Sequence, residues 1–244
     1  MWRIIDYKEN TAYMNMAIDE AVSKSVKNGG RPTIRFYGWK PSAVSIGYFQ
    51  SLEQEVDLDH CKNHGVDFVR RRTGGGAVYH EHEITYSVIG KEDLFPKDII
   101  ASYKQICGWI VDSLDAIGIK SEFKPINDIT VNGKKISGNA QTRRHGVILQ
   151  HGTILYQVDV DKMFSLLKVP DEKIRDKMIA TAKERVTSVK DQKEVSRDEL
   201  YRALLKGFTN GKEISFDGLT DEEMLMANRL AEERYKTSDW NFWR

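Results

Sequence analysis

Apolar residues recur along the chain at two spacings, one typical of strands and the other of helices. Short runs rich in β-branched and aromatic residues predict strands through the first two thirds of the chain. The dipeptide Asn132-Gly133 stands between two of these runs and favours a tight hairpin turn. The predicted strands are Trp2–Asp6, Thr33–Tyr37, Ala43–Tyr48, Val66–Val69, Ile84–Ile89, Asp128–Val131, Lys134–Ser137 and Val147–Tyr156.

Helical spacing dominates the last third and recurs earlier. Ser196 with Glu199, and Thr220 with Glu223, form capping boxes that begin two of these helices. The predicted helices are a segment from Met14 to Val22 capped by Thr11 or Asn15, then Leu58–His64, Asp98–Ile117, Val160–Leu167, Asp171–Ala182, Ser196–Phe208 and Asp221–Tyr235. Strands followed by helices predict an α+β fold, a largely antiparallel sheet flanked by helices, rather than a doubly wound sheet.

Composition narrows the function classes. With 37 Lys+Arg against 36 Asp+Glu in 244 residues, the net charge of +1 disfavours a dedicated nucleic-acid binder. Two cysteines, Cys61 and Cys107, form no disulfide framework and no CxxC metal site. No signal peptide opens the sequence, and no apolar run approaches the roughly 20 residues that cross a bilayer. We therefore expect a cytoplasmic protein without membrane or nucleic-acid partners, folded as a single domain over residues 1–244.

The sequence Arg70-Arg71-Arg72-Thr73-Gly74-Gly75-Gly76 is the strongest candidate for chemistry. Adjacent glycines let backbone N–H groups approach a ligand, while the arginines and Thr73 add donors for a phosphate or carboxylate. The segment is neither a Walker A loop nor a GxGxxG fingerprint. A flexible hairpin with solvated arginines remains an equally good interpretation at this point.

Two further groups of polar residues follow. His80 and His82 would share a face of a strand, but no third ligand stands at a familiar spacing, so a metal site is disfavoured and its ligands stay unknown. Lys134 and Lys135 follow the Asn-Gly turn and alternate in direction, so at most one of them points toward an anion held by the glycines. A lysine placed there would stabilise charge that develops in acyl or phosphoryl transfer.

An apolar set precedes the glycines and is more often core than ligand tunnel. Its members are Tyr37, Trp39, Ile46, Tyr48 and Phe49. Next to an anion-binding loop, such a set would also suit a ligand with an aliphatic chain and a carboxylate head.

In these residues the sequence resembles the lipoate–protein ligase family, within the larger group of biotin and lipoate ligases. The matching runs, in the family's order, are Arg35-Phe36-Tyr37, Gly47-Tyr48-Phe49-Gln50, the segment from Arg70 to His80, Asn127-Asp128-Ile129, the segment from Lys134 to Ala140, His151-Gly152-Thr153, Arg185-Val186-Thr187, and Tyr235 to Asn241. The ordered set spans nearly the whole chain, which makes it far more specific than one motif.

The resemblance implies an enzyme that activates lipoate with ATP and Mg²⁺ to lipoyl-AMP and then transfers the lipoyl group to a lysine. It implies that Lys135 is the catalytic lysine, that Arg71 and Gly74–Gly76 line the lipoyl and phosphate site beside His80, and that Asn127 and Asp128 hold the nucleotide. The remaining binding residues implied by the matching motifs are Thr73, Ala77, Val78, Ser137, Gly138 and His151. The implied acceptors are lipoyl domains of the 2-oxoacid dehydrogenase E2 or glycine-cleavage H-protein type.

The octanoyltransferase branch of the same superfamily is the main rival. Ile34 to Trp39, Glu81 to Ser87 and Gln141 to His151 resemble that branch, which carries octanoyl from acyl carrier protein on a cysteine. Its cysteine precedes the lysine motif, whereas residues 121–133 of this chain contain none. We therefore favour the ligase. An octanoyl or lipoyl transferase and a non-catalytic lipoate- or biotin-binding protein stay open as alternatives.

The resemblance also bears on domain organisation. Single-chain ligases of the family continue into a smaller C-terminal accessory domain, and this sequence stops before it. We expect a separate accessory subunit to take its place, above all in adenylate formation.

Overall fold

The computed structural model describes residues 1–169 and 172–244. Its strands are β1 (Trp2–Asn10), β2 (Thr33–Trp39), β3 (Ala43–Ile46), β4 (Asp67–Arg70), β5 (Val78–His80), β6 (Ile84–Lys91), β7 (Glu122–Lys124), β8 (Asp128–Val131), β9 (Lys134–Arg144), β10 (Val147–Ile154) and β11 (Ile214–Phe216). Its helices are α1 (Ala12–Lys27), α2 (Leu52–Glu55), α3 (Leu58–Asn63), α4 (Ile99–Ala116), α5 (Val160–Leu166), α6 (Glu172–Arg185), α7 (Val189–Gln192), α8 (Arg197–Thr209), α9 (Asp221–Leu230) and α10 (Ser238–Asn241). A 3₁₀ turn at Glu92–Leu94 and a π-helical turn at Ala231–Tyr235 complete the elements.

Most strands join one eight-stranded sheet in the order β11-β1-β2-β6-β10-β9-β8-β7. Strand β1 runs parallel to β2 and β11, and every other neighbouring pair in this sheet is antiparallel. A second sheet has the order β4-β3-β5. The predicted α+β fold with a largely antiparallel sheet is confirmed.

Helices cover both faces of the large sheet. Along β2, Phe36 faces α4 and α8, while Tyr37 faces α1 and the C-terminal helices. The same alternation along β10 sends Ile148 and Leu149 to opposite cores. The sheet is therefore the middle layer of three, and its inward polar residues lie between two apolar layers.

A third core cluster lies under the small sheet, where Val44 and Ile46 of β3 pack against α2, α3 and α5. The last helix is fastened to this part of the molecule by Arg70, whose guanidinium donates to the carbonyls of Gly47, Tyr48 and Asn241. The C-terminal segment thereby supports the chain that precedes the glycine loop.

The predicted helix caps and hairpin turn, which depend on a few neighbouring residues, are confirmed. Thr11 caps α1, both predicted capping boxes form, and Asn132-Gly133 makes the hairpin turn with positive φ at both residues. Strands β5, β7 and β11 have three residues each and were not predicted. Strand β9 was predicted to end at Ser137 but continues to Arg144, because β10 pairs with it throughout.

One predicted helix has different bounds in the structure. The helix predicted over Asp171–Ala182 begins on a residue outside the described ranges, and α6 runs on to Arg185. In the part of the chain that the structure describes, no helix combines the length and apolar character needed to cross a membrane.

Candidate active site

The loop between β4 and β5, residues 71–77, is called the glycine loop below. Its centre is the buried guanidinium of Arg71, which donates to the carbonyls of Gly74 and Gly76, both at 2.8 Å, and to that of Ser45 at 3.1 Å. Burial lowers the pKa of Arg71 to about 10. No carboxylate pairs with Arg71 among the described residues. Arg71 therefore holds the loop's shape from inside and leaves its charge uncompensated.

Two glycines let the loop close around this side chain. Gly75 has φ +96°, and a Cβ on it would lie 2.9 Å from Arg71 Nη2. A Cβ on Gly47, at the end of β3, would lie 2.0 Å from the carbonyl oxygen of Gly75. The small sheet and the loop thus touch backbone to backbone, which no residue with a side chain permits at Gly47.

The other two arginines of this segment make their contacts elsewhere. The Arg70 guanidinium donates to backbone carbonyls, as described above. Arg72 pairs with Glu20 at 3.5 Å and does not border the cavity described below. The expectation that all of the arginines add charge for one ligand is therefore wrong for Arg70 and Arg72.

His80 is wedged into a buried polar chain. Its Nδ1 lies 2.6 Å from Glu83 Oε1 and its Nε2 lies 2.8 Å from Ser45 Oγ, while its ring stacks on Trp39 at 3.9 Å. Burial raises the pKa of Glu83, but the adjacent His80 outweighs it, and the net pKa is lowered. Glu83, Ser45 and Trp39 therefore hold the His80 ring in one position.

The described residues hold no cluster of three or more metal-ligating side chains. His82, the second histidine of the pair, lies beyond the end of β5, with about half of its side chain exposed and Glu81 as its partner.

His151 forms a second buried chain with a shared carboxylate. Its Nε2 lies 2.7 Å from Thr73 Oγ1 and its Nδ1 lies 3.4 Å from Asp19 Oδ2. Arg35 donates to the same Asp19 carboxylate at 2.9 Å. Burial lowers the pKa of His151 despite Asp19, so the ring is neutral near pH 7. Thr73 is consequently a support for His151 rather than a donor to an anion.

Lys135 lies at the start of β9, partly exposed, with Nζ 2.7 Å from Asp128 Oδ1. Its side chain crosses Gly138, where a Cβ would meet Lys135 Cε at 2.8 Å. The chain after α6 pins its backbone, because Thr187 N donates to the Lys135 carbonyl and Val186 forms a bridge with it. Lys134 is exposed and Lys135 is partly buried, which agrees with the prediction that at most one of the two lysines points inward.

Asn127 is clamped against Asn139 just before β8. Asn127 Nδ2 donates to the Asn139 carbonyl, and Asn139 returns two bonds to the Asn127 carbonyl, from its backbone N at 3.1 Å and from Nδ2 at 2.9 Å. This clamp fixes the turn that presents Asp128 to Lys135.

These parts surround one cavity of about 280 Å³, called the central cavity below. Its wall contains ten of the sequence-predicted residues: Arg71, Gly75, Gly76, Ala77, Val78, His80, Asn127, Lys135, Gly138 and His151. Thr73, Gly74, Asp128 and Ser137, also predicted, stand behind that wall. Much of the remaining wall is apolar and is suited to an aliphatic chain.

Several wall residues were missed or misjudged from sequence. Tyr37 and Trp39, which were interpreted as core residues, border the cavity. Met16 and Met163, from helices distant in sequence, do so as well. Ser45 and Asn139 also line it. Asn139 lies in the matched segment from Lys134 to Ala140 but was not selected, and Ser45 lies in no matched motif. Only alternation along β2 could have indicated that Tyr37 and Trp39 share a face.

Neither cysteine borders the central cavity. Cys61 is buried under the small sheet, and Cys107 lies on the buried face of α4 in the core. Burial raises the pKa of the Cys61 thiol to about 11 and that of Cys107 to about 12. Both are therefore protonated and inaccessible, unlike a thiol that attacks an acyl group.

The chain shares its α+β fold, a large and mostly antiparallel sheet between helices, with lipoate–protein ligases of solved structure. The family model for the lipoyl protein ligase A/B catalytic domain matches residues 11–209, and the chain belongs to that family.

Two kinds of enzyme stand among its relatives. It is 37% identical to an octanoyltransferase LipM of Brevibacillus brevis, with 98% of each chain covered. It is 38% identical to a lipoate-protein ligase A subunit 1 of Thermoplasma acidophilum, covering 93% of this chain and 91% of that one. A solved bi-partite lipoate protein ligase from Thermoplasma acidophilum superposes with a TM-score of 0.91 at 36% identity, covering 98% of this chain and 95% of that one.

Proposed function

We propose that this chain is the catalytic subunit of an ATP-dependent lipoate–protein ligase. It would activate lipoate to lipoyl-AMP and transfer the lipoyl group to a lysine of a lipoyl acceptor domain. The observation that carries the proposal is the composition of the central cavity, whose wall has Lys135 and a glycine loop but no thiol among the described residues.

The reaction has two steps, and this chain's residues suit both. A carboxylate oxygen of lipoate attacks the α-phosphorus of ATP and pyrophosphate leaves. The acceptor amine then attacks the carbonyl carbon and AMP leaves. Negative charge gathers where carboxylate and phosphate meet, and a lysine ammonium with backbone N–H groups stabilises charge of that kind. Among the residues that border the cavity, Lys135 and the exposed glycines Gly75 and Gly76 would supply such donors.

Asp128 gives Lys135 a partner that a nucleotide would replace. In the proposal, the α-phosphate would replace Asp128 as the partner of the Lys135 ammonium, and the Asp128 carboxylate would then be free to help hold a divalent ion. Mg²⁺ would neutralise phosphate charge. Since the described ranges contain no ready-made cluster of metal ligands, the ion would arrive with ATP.

A separate accessory polypeptide and an acceptor domain complete the proposal. Both are suggested by the relatives, one called subunit 1 of a ligase and one a bi-partite ligase with its E2 lipoyl domain. The acceptor would be a lipoyl domain of an E2 or an H protein. The accessory polypeptide would be needed chiefly for adenylate formation.

Octanoyl transfer from acyl carrier protein is the second candidate, and the LipM relatives favour it. It needs a nucleophile that carries the acyl group. The cysteine route would require Cys61 or Cys107 to leave a core, lose a proton against a raised pKa and reach a cavity that neither borders. We therefore rank this activity below the ligase.

A paired assay separates the two candidates. The acceptor domain is incubated with lipoate, ATP and Mg²⁺, or with octanoyl-acyl carrier protein alone, in each case with and without the accessory polypeptide, and its mass is measured. We expect ATP-dependent lipoylation, lost in Lys135→Ala and retained in the matched control Lys134→Ala. Transfer from the carrier without ATP would overturn the ligase. Lipoate binding without modification of any acceptor would leave only a binding protein.

The thiols provide a further prediction. Cys61→Ala and Cys107→Ala should each retain activity per folded molecule, and thiol-alkylating reagents should label neither cysteine until the protein unfolds. A single cysteine variant that folds and is inactive would restore the covalent route.

A further inference from the structure

A row of polar side chains runs through the large sheet on the face that α4 covers. It begins near the surface at Arg143 and ends at the Asn127 clamp beside Lys135. The members between them lie on three adjacent strands, in the order Gln141, Gln150, Tyr86 and Asn139.

Arg143 determines the orientation of the Gln141 side-chain amide, the first in the row. Its Nε donates to Gln141 Oε1 at 3.1 Å, and its other nitrogens donate to Ser102 Oγ and to the carbonyls of Pro96 and Lys97. A guanidinium has donors only, so the amide oxygen of Gln141 must face it. The amide nitrogen then points inward.

The orientation of Gln141 in turn determines the orientations of Gln150 and of the Tyr86 hydroxyl. Gln141 Nε2 donates to Gln150 Oε1 at 2.9 Å, which leaves Gln150 Nε2 to donate to the Tyr86 hydroxyl at 2.8 Å. A hydroxyl that accepts on this side directs its single proton elsewhere. That proton goes to Asn139 Oδ1 at 2.7 Å.

The last link reaches the cavity. Since Asn139 Oδ1 accepts from Tyr86, its Nδ2 faces the Asn127 carbonyl at 2.9 Å. If the Asn139 amide were reversed, its Oδ1 would face the Asn127 carbonyl oxygen, and neither atom can donate. The backbone closes the remaining side, because a Cβ on Gly152 would lie 2.1 Å from Asn139 Oδ1. Gly152 is the residue of β10 that lies between Tyr86 and Asn139 in register.

We propose that Arg143 is a remote positioning residue: its donor-only side chain orients a one-way chain of hydrogen bonds that holds the Asn127–Asp128 turn in register with Lys135. The inference rests on the proposed function only for the role of Lys135. The chain uses Gln141, Arg143 and Gln150, which the catalytic site leaves unexplained. Arg143 forms no ion pair among the described residues, and its side-chain hydrogen bonds all go to Gln141 and to the neighbouring Pro96, Lys97 and Ser102.

The decisive variant is Gln141→Glu. A carboxylate accepts more strongly from Arg143, so stability should be unchanged or higher. A carboxylate cannot donate, however, so Gln150 must reverse and take the Tyr86 proton, and Asn139 loses its donor. Were Arg143 merely structural, this variant would be as active as the parent. We expect a fall in kcat of roughly tenfold, as for one lost hydrogen bond, with an unchanged KM for lipoate.

Three further variants complete the test. Arg143→Met and Tyr86→Phe should each reduce kcat by about the same factor, and the double variant should be no worse than either, because one chain is broken once. Arg143→Lys, which also only donates, should recover activity. Arg144→Met, which changes the neighbouring arginine outside the row, should leave kcat unchanged.

A readout independent of activity separates this inference from the ligase proposal. In ¹⁵N-labelled protein the side-chain amide signal of Asn139 should be protected from hydrogen exchange in the parent and exchange faster in Gln141→Glu and Arg143→Met. Multiplicative losses in the double variant, or an Asn139 amide that is indifferent to both substitutions, would overturn the proposal. The variants could alter hydrogen exchange of the Asn139 amide in a protein that has no ligase activity. That result would support the chain of hydrogen bonds and contradict the proposed function.

Discussion

Replacing Gly75 by alanine tests whether the glycine loop depends on conformation rather than on small size alone. The φ of +96° costs a residue with a side chain about 1–3 kcal/mol. The new Cβ would also lie 2.9 Å from Arg71 Nη2, so the guanidinium that holds the loop must shift. We expect a loss of about 2–3 kcal/mol in the free energy of unfolding, or roughly 4–10 °C in Tm for a chain of this size.

We also expect a loss of kcat in the molecules that remain folded, beyond any loss that unfolding causes. A displaced Arg71 releases the carbonyls of Gly74 and Gly76, and the donors of the cavity move with them. A shift near 1 Å at a reacting centre can cost about a hundredfold in rate. The assay is kcat per folded molecule, with unfolding followed in urea.

Two matched substitutions give this prediction its controls. Gly65, at the end of α3, also has positive φ (+64°) but open space around it. Gly65→Ala should cost about 1–2 kcal/mol with no loss of activity. Gly74 has neither positive φ nor a close neighbour, so Gly74→Ala should change stability by less than about 0.5 kcal/mol. If Gly75→Ala were no less stable than Gly74→Ala, or as active as Gly65→Ala, the reasoning about Arg71 would be refuted.

Other predictions concern the walls around the cavity. Gly152→Ala should reduce kcat at least tenfold, since its Cβ would press on Asn139 Oδ1 at 2.1 Å, whereas Gly108→Ala in α4, with open space, should leave kcat unchanged and raise Tm slightly; equal effects would discredit the close contact. The folded protein should lose stability as the pH falls below 6.5, because burial lowers the pKa of His151 beneath its ordinary value of 6.5 and the unfolded chain then binds the extra proton. That loss, measured as Tm between pH 7.5 and 5.5, should be smaller in His151→Asn; a slope identical to the parent's would remove His151 from the account.

The fold was predictable where a few neighbouring residues decide the structure. The Asn132-Gly133 turn and the Ser196 and Thr220 caps depend on chemistry within four positions. The strands at Val78–His80 and Ile214–Phe216 have no such signal, because they exist only through partners far away in sequence. Strand β9 extends past its apolar residues for the same reason.

The candidate site divides in the same way. The run of glycines marked the glycine loop as a candidate, and strand alternation limited the inward lysines to one. The resemblance to the ligase family then selected Lys135. The interior contacts were not accessible from sequence, since Thr73 meets His151 across 78 positions and Ser45 meets His80 across 35. Arg71 was predicted to bind the ligand; it borders the central cavity, and it also shapes its own loop through the carbonyls of Gly74 and Gly76, which the sequence did not indicate. A contact of that kind depends on the folded backbone and leaves no pattern in the sequence.

The most direct test of the central claim is the intact mass of the protein after incubation with acyl donors and no acceptor. Lipoate with ATP and Mg²⁺, in the presence of the accessory polypeptide, should give lipoyl-AMP that stays with the folded protein and is released on denaturation, leaving the chain at its unmodified mass. Lys135→Ala should yield no adenylate. An acyl group that remains on the denatured chain, is removed by hydroxylamine and maps to Cys61 or Cys107 would contradict the account.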